Sequence, residues 1–236
     1  MADKISLTQA VRGNLLSLQR TSTSIDQTQT RLSTGLRVSS AIDDAAAFFT
    51  ARAFDNRASD LESLKSNIDL AISTIQAGID GIDSISDLVQ QAKGIASAAK
   101  ATGDTNERST LAVQFNELLS QVNSIANDST FNGLNLLQAS PDNLAVEFNE
   151  DNTSNLTITG LDVTTATSGI NIAVAANNFG LNANIDTALT AISSALTTLR
   201  SNASTMGSNN TILTTRLNFT DDLVNTLEGG NGKLTL

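Results

Sequence analysis

Apolar side chains recur at Leu7, Val11, Leu15, Leu18, Ile25 and Leu32, spaced by three, four or seven residues, and Ser22 and Gln29 interrupt the series. This spacing predicts an amphipathic helix over residues 4–34 with a narrow apolar seam. Such a helix is a weak folder alone, because its seam needs a partner to cover it. Gly13 weakens it by up to about 1 kcal/mol relative to alanine. After Gly35, Ser40 followed by Asp43 reads as the capping box of a new helix, with Ser40 as N-cap and Asp43 at the third position. Asp43 and Asp44 then face the positive end of that helix dipole.

A second series runs through Leu61, Leu64, Ile68, Ala71, Ile75, Ile79, Ile82, Ile85, Val89 and Ala92. Every step is three or four, so residues 58–99 are predicted to form one long coiled-coil-like helix. Gly78, Gly81 and Gly94 fall inside it; they cost helix stability and permit close backbone approach. Ala101-Thr-Gly-Asp-Thr105 reads as a chain reversal. A third helix is expected over 105–127, on Leu111, Phe115, Leu118, Val122 and Ile125, followed by a turn at Asn132-Gly133.

The period then changes to two. Leu144, Val146 and Phe148 alternate with small or polar neighbours, as do Leu156 with Ile158, and Ile170, Ile172 and Val174. Short strands in hairpins are predicted between 142 and 180. The last helix carries the most regular pattern. Ile185, Leu189, Ile192, Leu196, Leu199, Ala203, Met206, Asn210, Leu213, Leu217, Thr220, Val224 and Leu227 follow a strict four–three alternation. That repeat predicts a coiled-coil seam on a helix about 65 Å long. Asn210 reads equally as a register-setting residue or as a tolerated polar position. Glu228-Gly-Gly-Asn-Gly-Lys233 is expected to break the helix. Together these elements predict a mainly α fold, an elongated antiparallel helical bundle or coiled coil with a small β-hairpin region.

Composition supports this picture. Hydrophobic residues make up 40% of the 236-residue chain, yet aromatic residues only 3%, with no Trp or Tyr. Aliphatic side chains must therefore supply the buried area, which suits thin helical seams better than a thick core. The only proline is Pro141, so long helices meet no hard stop. The net charge of −10 argues against nucleic acids and anionic membranes as partners. No stretch is apolar enough to insert in a membrane as a helix, and the N-terminus lacks the apolar run of a Sec-type signal.

Candidate chemistry is sparse. The chain has no Cys and no His, which removes disulfides, thiolates, the commonest metal ligand and the commonest general base. Asp43 and Asp44 are adjacent, so on a helix they point about 100° apart and cannot converge on one ion. Glu147, Glu150 and Asp151 do not fit a calcium loop. No nucleophile–base pair can be assembled, so an enzyme is not expected, and neither is a metal or cofactor. Arg31, Arg37, Arg52 and Arg57 form a basic cluster, which fits ion pairs within the fold or contacts to a neighbouring subunit.

The segment Arg31-Leu-Ser-Thr-Gly-Leu-Arg-Val-Ser-Ser-Ala-Ile-Asp-Asp-Ala-Ala-Ala47 closely resembles the signature R-L-S-S-G-L-R-I-N-S-A-K-D-D-A-A-G of bacterial flagellins. Thr130-Phe-Asn-Gly-Leu-Asn-Leu-Leu137 is a second match. The resemblance implies a structural subunit of the flagellar filament that self-assembles for motility and is secreted by the flagellar type III route. It implies a filament-core helix at 1–40, a helical shaft at 41–140 and 183–236, and a reduced outer part at 141–182. Its partners would be other copies of the subunit, the export apparatus, the filament cap and export chaperones. Signature candidates for subunit contact are Arg31, Leu32, Gly35, Leu36, Arg37, Asp43, Asp44, Arg52, Arg57, Phe131, Asn132 and Gly133, with the seam of Ile185, Leu189, Ile192, Leu196, Leu199, Leu213 and Leu217 holding the shaft.

Two departures from the family pattern stand out. Family members continue past the point matching Leu236 with a C-terminal helix that pairs with the N-terminal one, and this sequence is expected to lack that segment. Members recognised by Toll-like receptor 5 resemble L-Q-R-V-R-E-L on the long helix, whereas here Val89-Gln-Gln-Ala-Lys-Gly-Ile95 stands, with Gln91 and Gly94 replacing the arginine and the glutamate. Weak or absent recognition is the expectation. Competing readings are a hook–filament junction protein, whose signature tends to carry proline near the paired aspartates, and a helical secreted adhesin that uses the hairpins to bind. Ala45-Ala46 favours the filament subunit.

Overall fold

The protein is described by a computed structural model over residues 9–236. Leu7, the first position of the N-terminal seam, lies outside the described residues. Four α-helices dominate: α1 (Gln9–Thr34), α2 (Ala45–Ala101), α3 (Thr105–Asp128) and α4 (Asn182–Thr235). Two short antiparallel hairpins lie between α3 and α4. They are β1 (Thr130–Phe131) with β2 (Leu134–Asn135), and β3 (Leu144–Glu147) with β4 (Asn155–Ile158). The fold is a mainly α helical bundle with small hairpins.

The chain forms two compact units, one of residues 1–60 with 222–236 and one of residues 61–221. In the larger unit, α2 and α4 run antiparallel. Lys65 pairs with Asp221 at one end of the shared stretch, and Lys100 with Asp186, 2.5 Å apart, at the other. The core between them is aliphatic. Ile68, Ile75, Ile82, Ile85 and Val89 of α2 are fully buried, as are Ile185, Ile192, Leu199 and Leu213 of α4. Gly78 lets α4 approach, because a Cβ there would sit 3.2 Å from Met206 Sδ. α3 folds back after the turn at 102–104, where Asp104 caps it by accepting from the Asn106 N–H at 2.8 Å. Arg108 ties the turn to α4 by donating to the Thr102 carbonyl and to Asn182 Oδ1. Phe115 of α3 meets Phe179 edge-on, centroids 5.1 Å apart, beneath the short 3-10 turn Ala176–Phe179.

The β3–β4 hairpin follows the alternation in the sequence. Leu144, Val146 and Ile158 point into the core, and the register pairs Leu144 with Ile158. The alternation at Ile170, Ile172 and Val174 does not make a strand. Asn171 takes a left-handed φ of 52°, which breaks the extended run, while Ile170 and Ile172 remain buried and Val174 stays exposed. The Ile170 and Ile172 N–H groups are satisfied instead by the carbonyls of Thr164 and Thr165.

In the smaller unit, α1 buries no residue. α2 begins at Ala45, later than a cap at Ser40 would place it, and the cap is Asp44, whose carboxylate accepts from the Ala47 N–H at 3.0 Å. α4 also departs from expectation, because it runs unbroken through Gly229, Gly230 and Gly232 to Thr235. Tertiary contacts override the weak helix propensity there. The Phe54 ring covers Gly230, where a Cβ would sit 3.1 Å from it, and Asn231 Nδ2 donates to Asp55 Oδ1 at 3.0 Å.

Candidate assembly surface

The signature segment folds around the last turn of α4. Gly35, at a φ of 70°, ends α1 in the left-handed conformation, and its N–H returns to the Arg31 carbonyl at 2.8 Å. The chain then crosses the C-terminal end of α4. The N–H groups of Arg37 and Val38 both donate to the Thr235 carbonyl, and Arg37 Nη2 donates to the Leu234 carbonyl at 2.8 Å. These bonds satisfy carbonyls that a helix end leaves without intrahelical donors, and the guanidinium complements the negative end of the dipole. Val38 is buried beside them and Leu36 half-buried.

Asp43 closes the next turn. Its Oδ2 accepts from the N–H and hydroxyl of both Ser39 and Ser40, at 3.1–3.2 Å, and Gln27 Nε2 of α1 reaches its Oδ1 at 3.4 Å. The Ser39 N–H, followed by the Ser40 hydroxyl, holds the Asp43 carboxyl below the ordinary value of 3.8. Asp44 caps α2, so the two adjacent carboxylates serve two different local structures.

The exposed faces of this unit are apolar as well as charged. Val11, Leu15, Leu18, Ile25 and Leu32 of α1 are all exposed, Leu32 at 86%. Arg31 lies in the last turn of α1, and Arg52 and Arg57 are exposed residues of α2. Two residues that sequence reasoning passed over join them: Ile42, 96% exposed, and Phe49, 63% exposed and stacked edge-on against Phe48. Neither sits on a helical period of apolar positions, so pattern analysis had no signal for them. The chain therefore leaves large apolar side chains uncovered on more than one element, which marks an interaction surface.

Phe131, Asn132 and Gly133 belong to the larger unit, at the β1–β2 turn, with Phe131 half-buried and the other two exposed. The α4 seam residues Ile185, Ile192, Leu196, Leu199 and Leu213 are buried, and Leu189 and Leu217 half-buried. Among the described residues no group of three Asp, Glu, His or Cys could hold a metal, and no helix is long and apolar enough to cross a membrane.

A helical bundle that buries its seams within the chain and leaves an amphipathic helix uncovered has the architecture of a structural subunit. Known proteins narrow that class. Residues 5–142 match the model of the bacterial flagellin N-terminal helical region, and the chain belongs to the bacterial flagellin family. Flagellin FljO of Caulobacter vibrioides is 31% identical, over 94% of this chain and 81% of the relative, and flagellin FljM of the same organism is 29% identical over the same shares. A crystal structure of Bacillus cereus flagellin shares the fold, with a TM-score of 0.57 and 21% identity over 65% of this chain and 88% of that one. The protein is a structural subunit of the flagellar filament, an exported component of the bacterial flagellum that assembles with other flagellin subunits.

Proposed function

We propose that this chain assembles through the exposed apolar face of α1, with Leu36, Arg37, Arg52 and Arg57 setting orientation at its edge. The observation that carries this reading is that α1 buries none of its residues although Val11, Leu15, Leu18, Ile25 and Leu32 recur at helical spacing along it. Burying a Leu or Ile contributes about 1.5–3 kcal/mol, so covering this stripe between copies drives association without new chemistry. Phe131, Asn132 and Gly133 serve the internal fold of the larger unit, and the α4 seam from Ile185 to Leu217 keeps each subunit rigid. The chain catalyses no reaction. It passes through the flagellar type III export apparatus with its chaperones and adds beneath the filament cap. Gln91 and the bare backbone of Gly94 leave Toll-like receptor 5 without its arginine and glutamate contacts.

The test is a triple variant, Leu15→Asp/Leu18→Asp/Ile25→Asp, offered to short filament seeds and read by sedimentation and electron microscopy. The variant is expected to stay in the supernatant and to melt like the parent, because none of the three is buried. Seeded growth equal to the parent's refutes the α1 reading. For the receptor, Gln91→Arg/Gly94→Glu is expected to raise the response of reporter cells above the parent's; a strong response to the parent itself refutes that part.

A further inference from the structure

We infer that Asn132 is a site of spontaneous backbone modification, and that its conversion to isoaspartate unfastens the end of α3. Asn132 and Gly133 form the two-residue loop between the paired residues Phe131 and Leu134. Both are exposed, both have positive φ (50° and 79°), and nothing lies within 4 Å of the space a Cβ of Gly133 would fill. With no side chain on Gly133, its backbone nitrogen has open access to the side-chain carbonyl carbon of Asn132. Once that nitrogen gives its proton to solvent hydroxide it attacks Cγ. The Cγ–Nδ2 bond breaks, ammonia leaves, and a cyclic imide closes. Water then adds to one of the two ring carbonyls and breaks its bond to the ring nitrogen. Opening at the side-chain carbonyl gives aspartate; opening at the main-chain carbonyl gives isoaspartate, whose backbone is one methylene longer.

The turn's position gives that methylene its consequence. A two-residue loop fixes the register of its hairpin. That register places Asn135, 2% exposed, under the C-terminal end of α3. Asn135 Nδ2 donates to the carbonyls of Ala126 and Asn127 at 2.9 and 2.8 Å, and its Oδ1 accepts from the Leu137 N–H at 2.7 Å. Leu136 and Leu137, both fully buried, follow directly. A longer loop shifts this whole set against α3.

The chain contains its own control. Asn231-Gly232 has the same dipeptide chemistry, but it lies inside α4 with Asn231 Nδ2 held on Asp55. Its imide can form only after local opening of the helix. The class of partner implied is an S-adenosylmethionine-dependent carboxyl methyltransferase specific for isoaspartate.

The experiment ages the whole protein in warm, mildly alkaline buffer, digests it with an endoproteinase that cuts after glutamate, and locates deamidation by fragment-ion mass spectrometry. Isoaspartate is read by methyl transfer from the purified methyltransferase. Asn132 is expected to convert at least about tenfold faster than Asn231 in the native protein, and the two rates to converge in urea. Asn132→Gly, which keeps the left-handed turn, is expected to melt like the parent and to lose the fast methyl acceptance. A native Asn132 that converts no faster than Asn231 overturns the site. Aged protein whose amide exchange at residues 134–137 matches fresh protein overturns the structural consequence.

Discussion

The guanidinium of Arg37 donates to the carbonyl of Leu234, joining the loop after α1 to the last turn of α4 across almost the whole length of the chain. The neighbouring bonds to the Thr235 carbonyl make the same connection through the backbone. Part of the signature is thus explained without reference to a partner, since it caps a helix within the subunit. Arg37 is exposed, so its own contribution is modest. Arg37→Ala is expected to cost about 1 kcal/mol or less, and to speed amide exchange in the last turn of α4. Unchanged exchange there would remove Arg37 from the cap.

Leu199 sits at the centre of the buried α4 seam with no exposure, whereas Leu18 of α1 is 68% exposed. Under the proposed α1 contact, the two leucines separate folding from assembly. Leu199→Ala is expected to lower unfolding free energy by about 2–5 kcal/mol in urea titration. Leu18→Ala is expected to leave the titration curve in place. A destabilised Leu18→Ala would mean that α1 is covered within the monomer in solution.

The buried seam of α4 was legible from spacing alone. The α4 heptads located a seam whose members from Ile185 to Leu227 are buried or half-buried, because a four–three repeat fixes which helical face is apolar. Spacing could not say whether a seam is covered. Both α1 and α4 carry apolar stripes at helical spacing, and the structure shows that the α1 stripe is exposed. Three local readings failed for want of tertiary information. Gly229, Gly230 and Gly232 predict a break, but Phe54, Asp55 and Arg37 hold the helix. Ile170 and Ile172 alternate like a strand, but among the described residues no strand pairs with them, and Asn171 turns left-handed. Ser40 reads as a cap, but Asp44 performs that role.

Gly81 and Gly94 lie on the same helix and predict opposite responses to alanine. At Gly81 a Cβ would meet Ser129 Oγ at 2.5 Å and Leu137 Cδ1 at 2.7 Å; at Gly94 nothing lies within 4 Å. Overpacking at the first site costs about 1–3 kcal/mol, against a propensity gain of up to about 1 kcal/mol available at either. Gly81→Ala is therefore expected to lower the melting temperature and Gly94→Ala to raise it. The same sign at both sites would show that propensity alone decides.

Asp43 sets an acid limit on the signature turn. Its carboxyl lies below the ordinary 3.8 because the charged form accepts the bonds from Ser39 and Ser40. A depressed folded value means that its stabilising contribution is present above the unfolded value, and is lost as pH falls through the lower folded one. Local protection at residues 39–43 is expected to persist to below 3.8 and then disappear, and Asp43→Asn is expected to abolish that step. An acid transition surviving in Asp43→Asn would assign it to another carboxylate.

Charge is divided unequally between the two compact units. The unit of residues 1–60 and 222–236 holds eight basic and eight acidic residues and is neutral. The unit of residues 61–221 holds the remaining six basic and sixteen acidic residues, and with them the entire net charge of −10. Copies that associate through the neutral unit must still bring their acidic units together, and that repulsion is screened by salt. The screening length falls from about 30 Å at 0.01 M ionic strength to about 8 Å at 0.15 M. Burial of the α1 stripe changes little over that range, so the electrostatic part sets the trend. Seeded growth is expected to accelerate as ionic strength rises between these limits, and Lys substitutions at exposed Asp83 and Asp87 are expected to flatten the dependence. Growth that slows with added salt would show that attraction between opposite charges, and not apolar burial, drives the contact.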